Sequence, residues 1–257
     1  MQAATKSVVS EELRARFASA KNVVVLTGAG VSAESGVPTF RGAGKTAVWK
    51  GMPFDVISSG AKLDRDLPAV REWFNYRRGV LRTLKPNPAH EAIARWQDRF
   101  ERFTLVTQNV DGLHHAAGSR NVIELHGSVW RARCLTCNSR SDLRASEVVA
   151  GVPSCLDCGG VMRPDVVLFG EMLPRGVFEQ AAMWAESCDL CFVVGTSAVV
   201  YPAAAIPEIA RAAGAYVIEV NPERTPLSNI CDETLMGKAG EILPLIECTV
   251  VIENSKD

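Results

Sequence analysis

Five short runs rich in β-branched and apolar residues constrain the fold of this 257-residue chain more than any other feature. They span residues 22–27, 103–107, 122–125, 190–195 and 216–220. Such runs predict strands buried on both faces. Helices are predicted over residues 10–20, 202–213 and 241–246, and the last two each follow a strand. Strands that alternate with helices predict an α/β fold with a mostly parallel, doubly wound sheet.

Two stretches interrupt this alternation. Residues 42–96 contain no convincing strand and several helical segments, which favours a helical insertion. Residues 131–163 are rich in Cys, Gly and Ser and cannot bury a core of their own. We therefore expect a large domain formed by residues 1–42, 97–130 and 164–257. The small domain would combine the helical insertion (43–96) with a module over 131–163.

The composition is that of a globular protein, with 47% hydrophobic and 22% charged residues. The formal net charge of −1 predicts no general attraction to nucleic acids or membranes. No apolar run has the length of a membrane span or of a signal-peptide core, so a cytoplasmic protein is expected. Eight cysteines without an export signal favour metal or redox chemistry over disulfides.

Gly28, Gly30 and Ala33 fit the pattern G-x-G-x-x-G/A directly after a predicted strand. Glycines there let the backbone approach a pyrophosphate, which a helix N-terminus can stabilise. A purely structural glycine turn is the alternative. The acidic ribose ligand of dehydrogenases is expected about 20 residues further on, where Val48, Trp49 and Lys50 stand. This departure argues against a hydride-transfer enzyme.

Two cysteine pairs, Cys134-x-x-Cys137 and Cys155-x-x-Cys158, are separated by seventeen residues. The spacing suits a tetrahedral zinc site, and four protein ligands leave no position open for substrate. The predicted zinc is therefore structural, and four unrelated thiols are the alternative. Cys188 and Cys191 repeat the C-x-x-C spacing, but Cys191 begins an apolar run, which favours buried packing.

Gln108, Asn109 and Asp111 follow a predicted strand, where parallel sheets present their ligand-binding loops. Amides and a carboxylate suit ribose hydroxyls and a carboxamide, although Asp111 could instead cap a helix starting near Gly112. His126 lies at a strand end beside Gly127, which favours exposure into a crevice.

The other histidines favour structural roles. His90 lies on a helical stretch and is predicted to be partly buried. His114 and His115 lie on the helix expected after residue 111, where at least one should be structural.

Several motifs occur together and in order. They are GAGVSAESGVPTFR (28–41), TQNVDGLHHAAG (107–118), ELHGS (124–128), the two C-x-x-C pairs, VLFGE (167–171), VGTSAVVYPAA (194–204) and VNPE (220–223). From about residue 20 to 246 the chain resembles the sirtuins, which are NAD-dependent protein-lysine deacylases. The likeness is to the bacterial type, close to the class that includes desuccinylases.

The resemblance implies a Rossmann-type large domain and a small domain made of a zinc-ribbon module and the helical insertion. It also implies NAD as co-substrate, one structural Zn²⁺, and an acyl-lysine peptide between the domains. The implied NAD-binding residues are Gly28, Ala29, Gly30, Glu34, Phe40, Arg41, Gln108, Asn109, Asp111, Gly195, Thr196, Ser197, Asn221, Glu223 and Ala239. Val167, Phe169 and Glu171 would border the peptide, and Cys134, Cys137, Cys155 and Cys158 would bind zinc.

The implied catalytic residues are His126, Asn109 and Arg41. In the implied reaction the acyl oxygen attacks the nicotinamide ribose, nicotinamide leaves, and an alkylamidate forms. His126 then acts as a base on the ribose hydroxyls, which yields lysine and 2′-O-acyl-ADP-ribose. Mono-ADP-ribosyl transfer is an alternative activity. A zinc-ribbon binding module that only senses NAD is a second alternative, from a different class.

The acyl preference depends on residues 74–77. Sirtuins that prefer succinyl groups carry Tyr-x-x-Arg in the helical insertion, and the matching stretch here runs from Phe74 to Arg77. The lost hydroxyl removes a charge-directed hydrogen bond of about 1.5–3 kcal/mol. We expect general deacetylation with reduced desuccinylation by a monomeric enzyme. Alternatively, Phe74 is a core residue and Arg77 a surface charge.

Overall fold

The structure is a computed structural model that describes residues 9–38, 48–145 and 153–251. Its strands are β1 (Asn22–Thr27), β2 (Val48–Trp49), β3 (Met52–Pro53), β4 (Arg102–Thr107), β5 (Val122–Glu124), β6 (Gly127–Cys134), β7 (Arg140–Asp142), β8 (Met162–Val166), β9 (Leu190–Val194), β10 (Tyr216–Asn221) and β11 (Glu233–Met236). Its α-helices are α1 (Glu11–Ser19), α2 (Phe54–Ile57), α3 (Gly60–Arg65), α4 (Leu67–Leu81), α5 (Pro88–Trp96), α6 (Leu113–Ala116), α7 (Val177–Ala185), α8 (Ala205–Ala212) and α9 (Ala239–Val251). Two 3₁₀ helices span Ala29–Ser35 and Pro226–Asn229.

Six parallel strands form the large sheet in the order β11-β10-β9-β1-β4-β5. The first strand lies in the middle, and later strands extend outward from it on both sides. This is the strand order of the doubly wound, Rossmann-type fold, as predicted. The order reverses between β1 and β9, and ligands bind outside the carboxyl ends of the strands at such a switch point.

The large sheet buries both faces. Alternate residues of β1 belong to different apolar clusters: Val23 and Val25 to one, Val24 and Leu26 to the other. All four are at most 1% exposed. Burying each such side chain contributes about 1.5–3 kcal/mol. Because both faces are covered, these strands are uniformly apolar rather than alternating, which is why the sequence pattern identifies them.

Most predicted strands and helices are found within a few residues of their expected bounds. The predicted first helix is confirmed as α1, and the Ser10 hydroxyl accepts a hydrogen bond from the Leu13 N–H, as an N-cap does. The predicted helix over 202–213 begins later, at Ala205. Edge strand β11 was not expected, because its sequence ETLM lacks a β-branched apolar run.

The expectation that residues 42–96 hold no strand was wrong. β2 and β3 form an antiparallel hairpin of two residues each, too short to produce a periodic pattern. Helices α2 to α4 follow it, and their apolar residues form a cluster with side chains of β6 and β8. α5 instead packs on the large sheet, where Trp96 is fully buried against Phe192 with ring centroids 4.9 Å apart.

The cysteine-rich module is built on a three-stranded antiparallel sheet in the order β7-β6-β8. Its own apolar cluster is small and includes Ala132, Cys134, Cys155 and Met162. We propose that this module and helices α2–α4 of the insertion form one small domain, whereas α5, although within the predicted insertion 43–96, packs with the large domain expected over 1–42, 97–130 and 164–257. The shared cluster of α2–α4 with β6 and β8 supports the proposal. Across the described ranges, no helix is long and apolar enough to span a bilayer.

Candidate active site

The floor of the site is the point where β1 and β9 end side by side. Gly28 N–H donates to the Val194 carbonyl (3.0 Å), and Gly30 N–H donates to the Gly195 carbonyl (2.7 Å). A Cβ atom on Gly30 would lie 2.7 Å from the Gly195 Cα, so a side chain has no room there. Gly195 has a φ of +60°, in the left-handed region that favours glycine. The glycines therefore let two backbones touch, and the chain continues as a 3₁₀ helix after Gly28.

A cleft of about 1480 Å³ opens above this floor. Its volume exceeds the roughly 300–1,000 Å³ of ordinary small-molecule pockets. Most residues expected at the site line it. They are Gly28, Ala29, Gly30, Glu34, Phe74, Arg77, Gln108, Asn109, His126, Val167, Phe169, Glu171, Gly195, Thr196, Ser197, Asn221, Glu223 and Ala239. The cleft also has apolar walls that sequence reasoning missed, including Phe54, Trp73 and Leu168.

Three expected residues stand apart from this lining. Phe40 and Arg41 lie outside the described residues. Asp111 is 5% exposed and lies beneath the cleft surface, where it accepts hydrogen bonds from the Ser32 hydroxyl (2.8 Å) and the Leu113 N–H (2.9 Å). The second bond reaches the first residue of α6, but Gly112 occupies the N-cap position, so Asp111 does not form the helix cap considered as an alternative. Burial raises the pKa of Asp111, and these two hydrogen bonds oppose the increase.

His126 lines the cleft at the turn between β5 and β6. Its Nδ1 lies 3.0 Å from the Gln108 carbonyl oxygen. A carbonyl can only accept, so Nδ1 carries the proton and Nε2 is left as the basic nitrogen of the neutral ring. Burial lowers the pKa of His126 below its usual value, and the bond to Gln108 opposes this only in part. The imidazole is therefore neutral near pH 7.

A buried polar network supports the loop that carries Asn109. The Asn87 N–H donates to Nδ1 of His90 (3.3 Å), so Nε2 of His90 carries the proton and donates to the Ser32 hydroxyl (3.2 Å). Ser32 also accepts from Nδ2 of Asn109 (3.1 Å) and donates to Asp111. Ser32 lies inside the glycine motif, so the sequence did offer a reason to consider it. The contact between Ser32 and His90 forms only in the folded chain.

The buried histidines predict an acid-labile fold. Burial lowers the pKa of His90 to about 4, whereas the unfolded side chain titrates near 6.5. Between these values the unfolded state binds more protons, so stability is full above pH 6.5 and is lost as the pH falls. From His90 alone we expect the free energy of unfolding to drop by about 2 kcal/mol between pH 7 and pH 5. Urea unfolding at both pH values measures it, and a His90→Asn variant should lose less. Equal losses in both proteins would contradict the assignment.

The predicted peptide-bordering segment is held between the turn that carries His126 and the helical insertion. The Val167 N–H donates to the His126 carbonyl (2.9 Å), and the Phe169 N–H donates to the Ser58 carbonyl (2.9 Å). Phe169 is 46% exposed, which leaves its ring available to a ligand. Both oxygens of Glu171 instead bind Arg163, at 2.5 and 2.9 Å. Glu171 thus anchors this segment in addition to lining the cleft.

Phe74 and Arg77 lie on α4 and line the cleft together. Phe74 is 6% exposed, and the Arg77 guanidinium lies over the Trp73 ring, 5.5 Å from its centroid. Burial lowers the pKa of Arg77, and the charge of Asp111 opposes this. The alternative is therefore right for Phe74, which also belongs to the buried cluster of α2–α4, but Arg77 is not the solvated surface charge that it predicted.

The four module cysteines converge on one point. Their Sγ atoms all lie within 4.8 Å of one another, and neighbouring sulfur atoms are 3.4–3.6 Å apart. A tetrahedral zinc with Zn–S bonds of about 2.3 Å needs sulfurs about 3.8 Å apart, so the set fits the ion. The Thr136 and Gly160 N–H groups donate to Cys134 and Cys158 sulfurs. These bonds complete a closed structural site in the predicted module.

The second C-x-x-C pair has a different environment. Cys188 is 8% and Cys191 0% exposed, and both belong to the apolar core. Burial raises the pKa of the Cys188 thiol to about 12. Within the described ranges only the module cysteines group as metal ligands. The prediction of buried packing for Cys188 and Cys191 is confirmed.

A Rossmann-type sheet with a large cleft at its switch point, beside a closed four-cysteine module, defines a dinucleotide-binding α/β protein with a structural zinc site. Comparison with known proteins narrows the class. The profile of the Sir2 family matches residues 28–202. NAD-dependent protein deacylase 2 of Pyrobaculum aerophilum is 48% identical over 230 residues, covering 89% of this chain and 90% of the relative. The chain belongs to the Sir2 family.

Solved structures agree with the fold. A Sir2 homologue in complex with NAD superposes with a TM-score of 0.89 at 42% identity, covering 95% of each chain. A mutant Sir2 homologue in complex with 2′-O-acetyl ADP-ribose superposes with a TM-score of 0.88, also at 42% identity. That match covers 96% of this chain and 98% of the other.

Proposed function

We propose that this protein is an NAD-dependent protein-lysine deacylase. The observation that carries the proposal is the neutral imidazole of His126 in the cleft, with its proton on Nδ1 and its base at Nε2. Membership of the Sir2 family and deacylase relatives support it. A neighbour's complex with 2′-O-acetyl ADP-ribose, the product of acyl transfer to ADP-ribose, supports deacylation over mono-ADP-ribosyl transfer.

NAD would lie across the switch point. The pyrophosphate would lie over the glycine floor, where Gly28, Gly30 and Gly195 line the cleft without side chains. Gln108 and Asn109 would hold the nicotinamide half, with Asp111 acting from below through Ser32. Arg41 and Phe40 would complete this half. The proposed contacts to the rest of NAD are Gly28, Ala29, Gly30, Glu34, Gly195, Thr196, Ser197, Asn221, Glu223 and Ala239.

The acyl-lysine peptide would enter beside residues 167–171, bordered by Val167, Phe169 and Glu171. Its carbonyl oxygen would attack the anomeric carbon of the nicotinamide ribose, and nicotinamide would leave. Nε2 of His126 would then take a proton from a ribose hydroxyl, so that the 2′-oxygen attacks the acyl carbon. The lysine amine would then leave with the proton that His126 took up, and a water molecule would add to the acyl carbon, which frees the 1′-hydroxyl and leaves 2′-O-acyl-ADP-ribose. Zinc takes no part in these steps, because four thiolates leave it no open position.

Nicotinamide release from NAD tests the proposal, measured with and without a panel of acetyl-, butyryl- and succinyl-lysine peptides. Mass spectrometry should find O-acyl-ADP-ribose and free lysine in equal amounts. Release that does not depend on the acyl peptide, together with ADP-ribosylated protein, would establish ADP-ribosyl transfer instead. No release under any condition would favour a protein that only senses NAD.

We predict that acetyl-lysine is a better substrate than succinyl-lysine. The reason is that Arg77 can attract the succinyl carboxylate, whereas Phe74 offers it no hydroxyl. Arg77→Met should lower kcat/KM for the succinyl peptide by about 10-fold or more, since a hydrogen bond to a charged group contributes about 1.5–3 kcal/mol. The acetyl rate should change far less. Phe74→Tyr is the matched variant and should raise the succinyl rate. An unchanged succinyl rate in Arg77→Met would contradict this pocket.

A further inference from the structure

The turn that carries His126 is held on its C-terminal side by β8 and the residue that follows it. Gly127 has a φ of +76°, and a Cβ atom there would lie 2.1 Å from the Asp165 carbonyl oxygen. Val167, the residue after β8, donates its N–H to the His126 carbonyl. The backbone of His126 and Gly127 is thus packed closely against β8 and Val167.

Arg131 links this region to the strand on the other side of His126. Its Nη1 lies 2.6 Å from Oε2 of Glu124, the last residue of β5. Its Nε lies 3.1 Å from Oδ2 of Asp165 on β8. One guanidinium therefore binds a carboxylate of the large sheet and a carboxylate of the zinc-module sheet. Glu124 precedes His126 by two residues.

The pairs formed by Arg131 are only partly open to water. The side chains of Glu124 and Asp165 are 10% and 12% exposed, and that of Arg131 is 30% exposed. Burial would raise the pKa of Glu124, but hydrogen bonds and charge from His115 and Arg131 lower it overall. Glu124 is therefore ionised at neutral pH. Partly desolvated pairs of this kind interact more strongly than exposed ones.

We propose that Arg131 is a positioning residue for His126, which it serves by holding Glu124 and Asp165 on either side of the histidine turn. The inference depends on the proposed role of His126 as the base. A base must lie within hydrogen-bond reach of its proton, and displacement by 1 Å can cost about 100-fold in rate. Arg131 would thus transmit the position of the zinc module to the reacting groups.

Arg131→Gln tests the proposal, with Arg140→Gln as the matched control. Arg140 also binds Asp165, with its Nε 3.0 Å from Oδ2, but within the part of the chain that the structure describes it forms no ion pair with Glu124. We expect kcat for an acetyl-lysine peptide to fall about 10-fold in Arg131→Gln, with KM for NAD changed less than about twofold. Zinc content should stay at one per chain. Arg140→Gln should keep kcat within about twofold of wild type.

Two further variants separate positioning from general stability. Arg131→Lys keeps the charge, but one ammonium group cannot present the two nitrogen atoms that bind both carboxylates, so kcat should still fall. Glu124→Gln should lower kcat as Arg131→Gln does. The double variant should be no slower than either single one, because both interrupt the same linkage.

Wild-type kcat in Arg131→Gln, or an equal loss in Arg140→Gln, would overturn the inference. If Arg131→Gln loses its zinc, its kcat no longer tests positioning, and Glu124→Gln is used instead because Glu124 belongs to the large sheet. A wild-type kcat in Glu124→Gln would also overturn the inference. Failure of the proposed function looks different. In that case wild type itself would release no nicotinamide, or His126→Ala would remain fully active.

Discussion

Replacing His126 with alanine is expected to slow deacylation of an acetyl-lysine peptide by about 100- to 10,000-fold, the range contributed by a general base. The imidazole is half-buried at a turn and lies outside the apolar clusters, so the fold should survive its loss. Nicotinamide release and O-acyl-ADP-ribose formation measure the effect, with thermal unfolding and zinc content as controls. Full activity in this variant would remove His126 from the mechanism.

His126→Asn distinguishes a base from a packing residue. Its amide can still donate to the Gln108 carbonyl but cannot accept a proton at neutral pH. It should therefore be as slow as the alanine variant, and recovery of activity would show that only packing mattered.

The pH profile provides a second readout. Because burial lowers the pKa of His126, kcat/KM should rise with pH through a midpoint below 6.5 and level off above it. A midpoint well above that value would contradict the neutral imidazole.

Replacing Cys134 with serine is expected to release most of the zinc and to lower the melting temperature sharply. The module has a small apolar cluster of its own, so the metal must supply much of its stability. Losing a thiolate ligand should weaken zinc binding by more than the roughly 10- to 100-fold caused by losing a residue that merely supports a ligand. Metal analysis after dialysis and calorimetry measure both effects.

Cys231→Ala is the control for Cys134→Ser. Cys231 is half-buried and packs against the apolar cluster that contains Val24 and Leu26, away from the module cysteines. This variant should keep one zinc per chain and near wild-type activity. A Cys134→Ser protein that is zinc-free, well folded and active would show that the four cysteines are not a structural site.

The sequence predicted those parts of the fold that depend on residues close together in the chain. The buried strands of the large sheet are contiguous apolar runs, and the zinc ligands are two pairs with fixed spacing, so both could be read directly. β6 and β8 were not, because their sequences GSVWRARC and MRPDV mix charges and a proline with apolar residues. β6 and β8 form the sheet on which the cysteine module is built, and the cysteine spacing does not reveal this pairing of strands.

The site was predictable where one motif supplies several neighbours, as in the glycine floor. It was not predictable where partners lie far apart in the chain. Asp111 is buried beneath the cleft, where it accepts a hydrogen bond from the hydroxyl of Ser32, 79 positions away in the chain. His90 binds Ser32, from which it is separated by 58 positions in the chain. Such contacts are decided by tertiary packing.

The central position of β1 has a consequence for synthesis on the ribosome. Thr27 pairs with Thr107 on one side and with Val194 on the other, which is 167 positions later. At about 5–20 residues per second, the second edge of β1 waits roughly 10–30 seconds for its partner. During that time an apolar strand has an unpaired edge, which is a hazard for aggregation. The nascent chain must therefore keep Val23 to Leu26 covered until β9 emerges, and slower translation would lengthen the exposure.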